Sequence, residues 1–274
     1  MSEFIKKLER ISREKTRPLG FGGIAKPKNA GMMLIAQLPP SEASTGNSIP
    51  EEVDALLFDV KDSDDRVELL SMRVKDQEAR SQKPDSCLLP LASCLLPLVP
   101  WGVRLGTADT EGLAELADAG CDYLVFKSDV SARIVVEERM GLVLEIDTLL
   151  GDSLARAVGQ ISVEAILLRS NDELPLSVHR LLEYQRLIAL AGTPAIALLP
   201  ADISDLKSLW GIGVRGVVVD LSGEDREQKL SAVREAIRRL PASRKKLRER
   251  INPILPAVQA LDEEFEDEEF EEKI

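Results

Sequence analysis

The chain has 274 residues, 44% of them hydrophobic and 30% charged, a composition too apolar for intrinsic disorder and long enough to bury a large core. Its net charge of -12 is concentrated: the run 262–272 (DEEFEDEEFEE) holds nine acids, and without it and Lys273 the remainder has 38 acids against 34 bases. A body so close to neutral lacks the concentrated positive surface that phosphate neutralisation requires, which excludes nucleic acid as a partner.

Residues 1–29 read as an N-terminal extension. Phe4, Ile5, Leu8 and Ile11 fall on one face of a short helix, which would cover the open end of a barrel. Gly20-Phe21-Gly22-Gly23 follows no strand and does not match the dinucleotide fingerprint, so it is read as a turn. From Gly31 onward, short apolar runs alternate with longer amphipathic ones. The runs are Met32–Ala36, Ala55–Phe58, Gly102–Leu105, Tyr123–Phe126, Leu142–Ile146, Ala165–Leu168, Ala195–Leu199 and Gly216–Val219. Each is one strand long and apolar on both faces, as buried parallel strands are. Helices are read over Thr110–Ala119, Ser177–Ala191, Asp202–Trp210 and Asp225–Leu240, ending at Gly120, Gly192, Gly211 with Gly213, and Pro241. Eight strand–helix units predict an α/β fold, a single (β/α)8 barrel over 30–241. An open doubly wound sheet is the alternative, but such sheets usually carry fewer strands.

Two segments break the alternation. Residues 39–50, between the first two strands, are short and rich in Ser, Pro and Gly, leaving room for a helical turn or two. Between strands 2 and 3, a helix over about 65–81 precedes a seven-residue repeat, Ser86-Cys87-Leu88-Leu89-Pro90-Leu91-Ala92 and then Ser93-Cys94-Leu95-Leu96-Pro97-Leu98-Val99. No charge occurs from Ser86 to Val103. Pro90, Pro97 and Pro100 oppose a membrane-spanning helix, so a packed insertion is expected, with 86–101 a candidate homo-oligomer contact. After the barrel come a basic, proline-containing segment (242–261) and the acidic tail (262–274), expected to be disordered by self-repulsion.

Barrel sites form where strands end. The strand ends here present Gln37; Asp59 and Lys61; Arg104; Lys127 and Ser128; Glu145 and Asp147; Arg169 and Asn171; Leu199-Pro200; and Asp220 with Ser222. One reading is an anion-binding and acid–base site. Lys127, Arg169 and Arg104 would hold a carboxylate or phosphate, Glu145 or Asp59 would move a proton, and Asp59 or Asp220 would orient the electrophile. The bland reading of the same ring is a pair of inter-strand salt bridges, Lys127–Glu145 and Arg104–Asp59, closing the barrel top. No metal site is read. The single His179 excludes a multi-histidine site, and four oxygen donors (Glu145, Asp147, Asp59, Asp220) around a hard cation rank behind the anion site. No cofactor is specified.

The stretch Thr110-Glu111-Gly112-Leu113-Ala114-Glu115-Leu116-Ala117-Asp118-Ala119-Gly120-Cys121-Asp122-Tyr123-Leu124-Val125-Phe126 resembles a helix-to-strand unit of the (β/α)8 TIM-barrel superfamily, in its phosphate- and flavin-binding branch. Leu206 to Val219, with Gly211, Gly213 and Val214-Arg215-Gly216-Val217-Val218-Val219, is similar to that branch's seventh helix and eighth strand. The resemblance implies phosphate-cradling glycines after strands 7 and 8. Strand 7 here ends Ala197-Leu198-Leu199-Pro200-Ala201, and only Gly223 follows strand 8, so that glycine motif is missing. Barrel aldolases often carry a Schiff-base lysine on strand 6. Arg169 stands there, and Lys127 on strand 4 is the lysine at hand.

Two functions remain open from the sequence. One is a lyase or isomerase acting on a small anionic metabolite. The other is a barrel without turnover that serves as a binding or assembly module. Three cysteines (Cys87, Cys94, Cys121) make no disulfide framework and no secretory leader is read, so the cytoplasm is the expected compartment.

Overall fold

The computed structural model describes residues 2–12, 31–42, 53–62, 64–71, 99–106, 112–169, 176–199, 203–221 and 225–241. The turn at 20–23, the insert up to residue 98 and everything after residue 241 lie outside the described residues, and with them the expectations placed there.

Eight parallel strands pair in sequence order and close into a barrel, β1 to β8. They are β1 (Met33–Leu38), β2 (Ala55–Val60), β3 (Trp101–Leu105), β4 (Tyr123–Lys127), β5 (Gly141–Asp147), β6 (Ala165–Arg169), β7 (Ala195–Leu198) and β8 (Val214–Asp220). β8 returns to β1, with Met33 beside Gly216 and Gln37 beside Asp220. The fold is thus the TIM barrel expected, not the open sheet. Around it the described helices are α1 (Glu3–Ser12), α2 (residues 64–71), α3 (Leu113–Asp118), α4 (Asp152–Val158), α5 (Val178–Ala191), α6 (Leu206–Ile212) and α7 (Arg226–Arg238). The connection after β1 begins with one short 3-10 turn, Pro40–Glu42, and that after β4 holds a 3-10 helix, Ala132–Val136. α4 is a helix that the apolar pattern did not pick out. α5 has a sharp start and stop: Ser177 accepts from the Arg180 N–H, and Gly192 at φ 69° ends it.

Side chains alternate across each strand, giving the protein two cores. One set, including Leu34, Phe58, Val103, Leu124, Leu144 and Leu168, packs outward under the helices. The alternate set, including Met33, Ile35, Leu57, Val125, Val143 and Leu167, fills the lower interior.

α1 closes the floor. Phe4, Ile5 and Leu8 are buried in the interior core, and the Phe4 ring stacks on Tyr123, centroids 3.8 Å apart. Asp122, just before β4, caps this helix. Its carboxylate accepts from Ser2 Oγ (2.6 Å), the Glu3 N–H (2.9 Å) and the Phe4 N–H (2.8 Å). Inward glycines make the space: a Cβ on Gly102 would lie 2.5 Å from the Tyr123 ring, and one on Gly141 would meet Ile5 and Ser2. The Tyr123 hydroxyl donates to the Leu56 carbonyl at 2.6 Å.

A second tie binds α1 to β2 and α7. Asp54 pairs with Lys7 (2.8 Å) and Arg234 (3.1 Å) and accepts from the Leu34 N–H (3.0 Å). Burial alone would raise the Asp54 pKa. The bonds from Lys7 and the Leu34 N–H, with the Arg234 charge, outweigh burial and hold it below the ordinary carboxylate value.

Two outcomes follow from the floor. Phe4→Ala should cost about 3–5 kcal/mol in urea unfolding, the scale for removing a buried aromatic ring. Because the folded Asp54 pKa is lowered, its stabilisation is present above the unfolded value near 4 and is lost as pH falls through the lower folded value. Stability measured against pH should therefore decline more shallowly below about pH 4 in Asp54→Asn than in the parent chain.

Candidate active site at the barrel mouth

The upper interior carries charge. Gln37, Asp59, Arg104, Lys127, Glu145, Asp147, Arg169 and Asp220 share the inward parity of the interior residues below them. Five of these side chains form one chain of bonds. Gln37 Nε2 lies 3.5 Å from Asp59 Oδ2, and Arg104 Nη1 donates to Asp59 Oδ1 at 3.2 Å. Arg104 then grips Glu145 with two bonds, Nε to Oε2 at 2.7 Å and Nη2 to Oε1 at 3.0 Å. Arg169 Nη1 completes it, donating to Glu145 Oε1 at 3.2 Å. The Glu145 side chain is 5% exposed, and such a buried carboxylate is tolerable only with partners of this quality.

The Arg104–Asp59 bridge between adjacent strands is present. The Lys127–Glu145 bridge is not, although the two residues are register partners. The reason lies in barrel stagger. Arg104 is level with Val125 on β4, and Val125 with Val143 on β5. A long guanidinium leaning up its strand passes over small Val125 and meets Glu145, one inward position above Val143.

Next to this network lies a cavity of about 370 Å³, lined by Lys127, Ser128, Asp129, Glu145, Asp147 and Arg169. This is near the low end for small-molecule pockets. Lys127 forms no ion pair among the described residues, and the Arg169 side chain is 37% exposed. Asp147 is exposed and accepts from Thr148 Oγ1 (3.2 Å) and the Leu149 N–H (3.3 Å). A turn closed by the Val130 N–H on the Lys127 carbonyl sets Asp129 over the mouth. The floor of the β5–α4 connection is fixed from α5, where Arg186 bonds Asp152 and the carbonyls of Thr148 and Leu150.

Of the residues singled out in the sequence, Lys127, Glu145 and Arg169 therefore meet at one cavity, and Asp59 and Arg104 reach it through the network. Asp220 is not among the residues lining it. Its carbonyl accepts from Lys229 Nζ. Asp129 was missed, although it stands two residues after Lys127. Among the described residues no group of three or more His, Cys, Asp or Glu is arranged to hold a metal ion, and no helix is long and apolar enough to cross a membrane. His179 is on the α5 surface, 84% exposed, 3.4 Å from Glu183.

The network makes an energetic test. Arg104→Met strips Glu145 of two bonds and Asp59 of one, and should cost about 3–5 kcal/mol, the range for breaking a buried ion pair. Adding Glu145→Leu should recover part of that loss in a double-mutant cycle read by urea unfolding.

No family model matches this sequence, and no curated protein does. Solved structures share its fold. It resembles a mutant alpha-subunit of tryptophan synthase from the hyperthermophile Pyrococcus furiosus at 14% identity and a TM-score of 0.53, covering 77% of this chain and 98% of that one. Tryptophan synthase from M. tuberculosis is similar at 15% identity, TM-score 0.51, over 77% of this chain and 94% of that one. A protein of Aquifex aeolicus VF5 is similar at 10% identity, TM-score 0.52, over 86% and 96% respectively. At these identities the likeness is one of fold.

Proposed function

We propose that the barrel mouth binds a small anionic metabolite and that the protein acts on it as a lyase or isomerase. The observation that carries this reading is the cavity itself. It places Lys127, which has no ion pair among the described residues, in the same wall as the partly exposed Arg169. Two cations converging on one space are suited to a carboxylate or phosphate. The shared fold supports the location, since TIM barrels work at this face and the alpha-subunit of tryptophan synthase is built on the same architecture.

The geometry redistributes the roles expected from the sequence. Glu145 accepts three charged bonds over both oxygens, so its task is to aim Arg169 rather than to take a proton. Asp59 positions Arg104 in the same way. Asp147, exposed in the cavity wall, is the carboxylate placed to exchange a proton with a bound ligand.

One observation favours the competing reading of a module without turnover: the Gln37–Asp59–Arg104–Glu145–Arg169 chain is satisfied internally. Native mass spectrometry of the gently purified protein separates the two. A bound metabolite of fixed mass, lost in Lys127→Met, is the expected result. Calorimetric titration with a panel of carboxylates and phosphate monoesters should show Lys127→Met binding about 10–100-fold more weakly, the scale of one charge-assisted hydrogen bond. A chain that binds no member of the panel and carries no mass would be a module.

A further inference from the structure

Among the described residues, the cavity wall has more carboxylates than cations. Among the described residues that line it are two cations, Lys127 and Arg169, and three carboxylates, Asp129, Glu145 and Asp147. The groups bonded directly behind it, Arg104 and Asp59, cancel one another in formal charge. Among the described residues the lining therefore carries a formal charge of -1, whichever pairs form within it.

The charges are also sorted in space. Glu145 lines the cavity but is nearly buried, bonded between Arg104 and Arg169. Asp147 and Asp129 are exposed at the rim, the first at the end of β5 and the second on the turn after β4. Lys127 on β4 and Arg169 on β6 flank β5 from opposite sides, level with Glu145 and Asp147 respectively. A ligand entering this space meets Lys127 and Arg169 on either side of β5, with Asp147 level with Arg169 and Asp129 on the turn two residues beyond Lys127.

A plain dianion would satisfy Lys127 and Arg169 but would face the two rim carboxylates at short range, with like-charge repulsion in a partly desolvated space. We infer that the ligand carries an ammonium group as well as its anionic group: a small zwitterion such as an amino acid or a phosphorylated amine. Its anion bonds Lys127 and Arg169, and its ammonium bonds Asp147 and Asp129. This assignment rests on the proposed anion site and adds to it the second half of the ligand. It also explains why the described wall of so small a cavity is so polar: both ends of a short molecule are held by charge.

The test uses matched probes on the full chain: glutarate against glutamate, succinate against aspartate, and inorganic phosphate against phosphoethanolamine, each by calorimetric titration. In at least one pair the amine-bearing member should bind about tenfold or more tightly than its partner, the equivalent of one good charged contact. Asp147→Asn should erase that preference while leaving the affinity for the amine-free member unchanged or improved. Lys127→Met should weaken both members. Asp129→Asn, at an exposed position on the turn after β4, gives the same readout if Asp147→Asn lowers the melting temperature. Amine-free members that bind as tightly as their partners would overturn the zwitterion and leave the anion site standing. Failure of every probe to bind at millimolar concentration would overturn the anion site, and the zwitterion with it.

Discussion

A closed parallel barrel gives every second residue of every strand to its interior, and nothing placed there escapes its neighbours. In this protein that parity constraint decides where the apolar core ends and where chemistry begins. The same inward series that supplies Ile35, Leu57, Val125, Val143 and Leu167 continues upward into Gln37, Asp59, Lys127, Glu145 and Arg169. One step along each strand separates a residue chosen for volume from one chosen for charge. The floor is covered by an amphipathic helix, and among the described residues the interior opens at the charged end.

Charges so near a dry core are permitted only in company. Arg104 serves as the hub because guanidinium can bond two carboxylates in one plane while its stem lies against apolar neighbours. Its grip on Glu145 spans two strands, β3 and β5, and skips β4. Among the described residues Lys127 is thereby left without an ion pair, although Glu145 is its register partner. The network and the cavity are thus two results of one arrangement: satisfying Glu145 from one side releases the cation on the other. Arg169 belongs to both, bonding Glu145 in the network and lining the cavity.

The strands were legible because apolar runs of strand length, separated by capped helical patterns, suit a buried parallel sheet and little else. Gly192 and Ser177 marked the ends of α5 as written. α4 was hidden: Asp152–Val158 is only two turns long, and just Ala155 and Val158 of it are buried, too few to show a period. The ring of strand-end charges was readable from parity. The Arg104–Asp59 bridge was readable too, because it joins neighbouring strands; the Arg104–Glu145 pair was not, because it skips β4 where sequence adjacency suggests Lys127–Glu145. Asp129 lay in a turn, where no periodicity speaks for it.

The floor has a consequence for how the molecule is assembled. Ser2 bonds Asp122 across 120 residues, and Phe4 stacks on a ring almost as distant in sequence. Closing a loop of that length costs about 4 kcal/mol of chain entropy before any contact is made. α1 leaves the ribosome long before the aspartate that caps it and the tyrosine it covers, which are synthesised more than a hundred residues later. Until then its apolar stripe has nothing to rest on. An unfinished barrel consequently displays two sticky surfaces at once, the bare helix and the open floor, and both vanish together in the step that joins them. Slow folding with late, concerted closure is the natural kinetic character of a barrel stoppered by a helix from so far upstream.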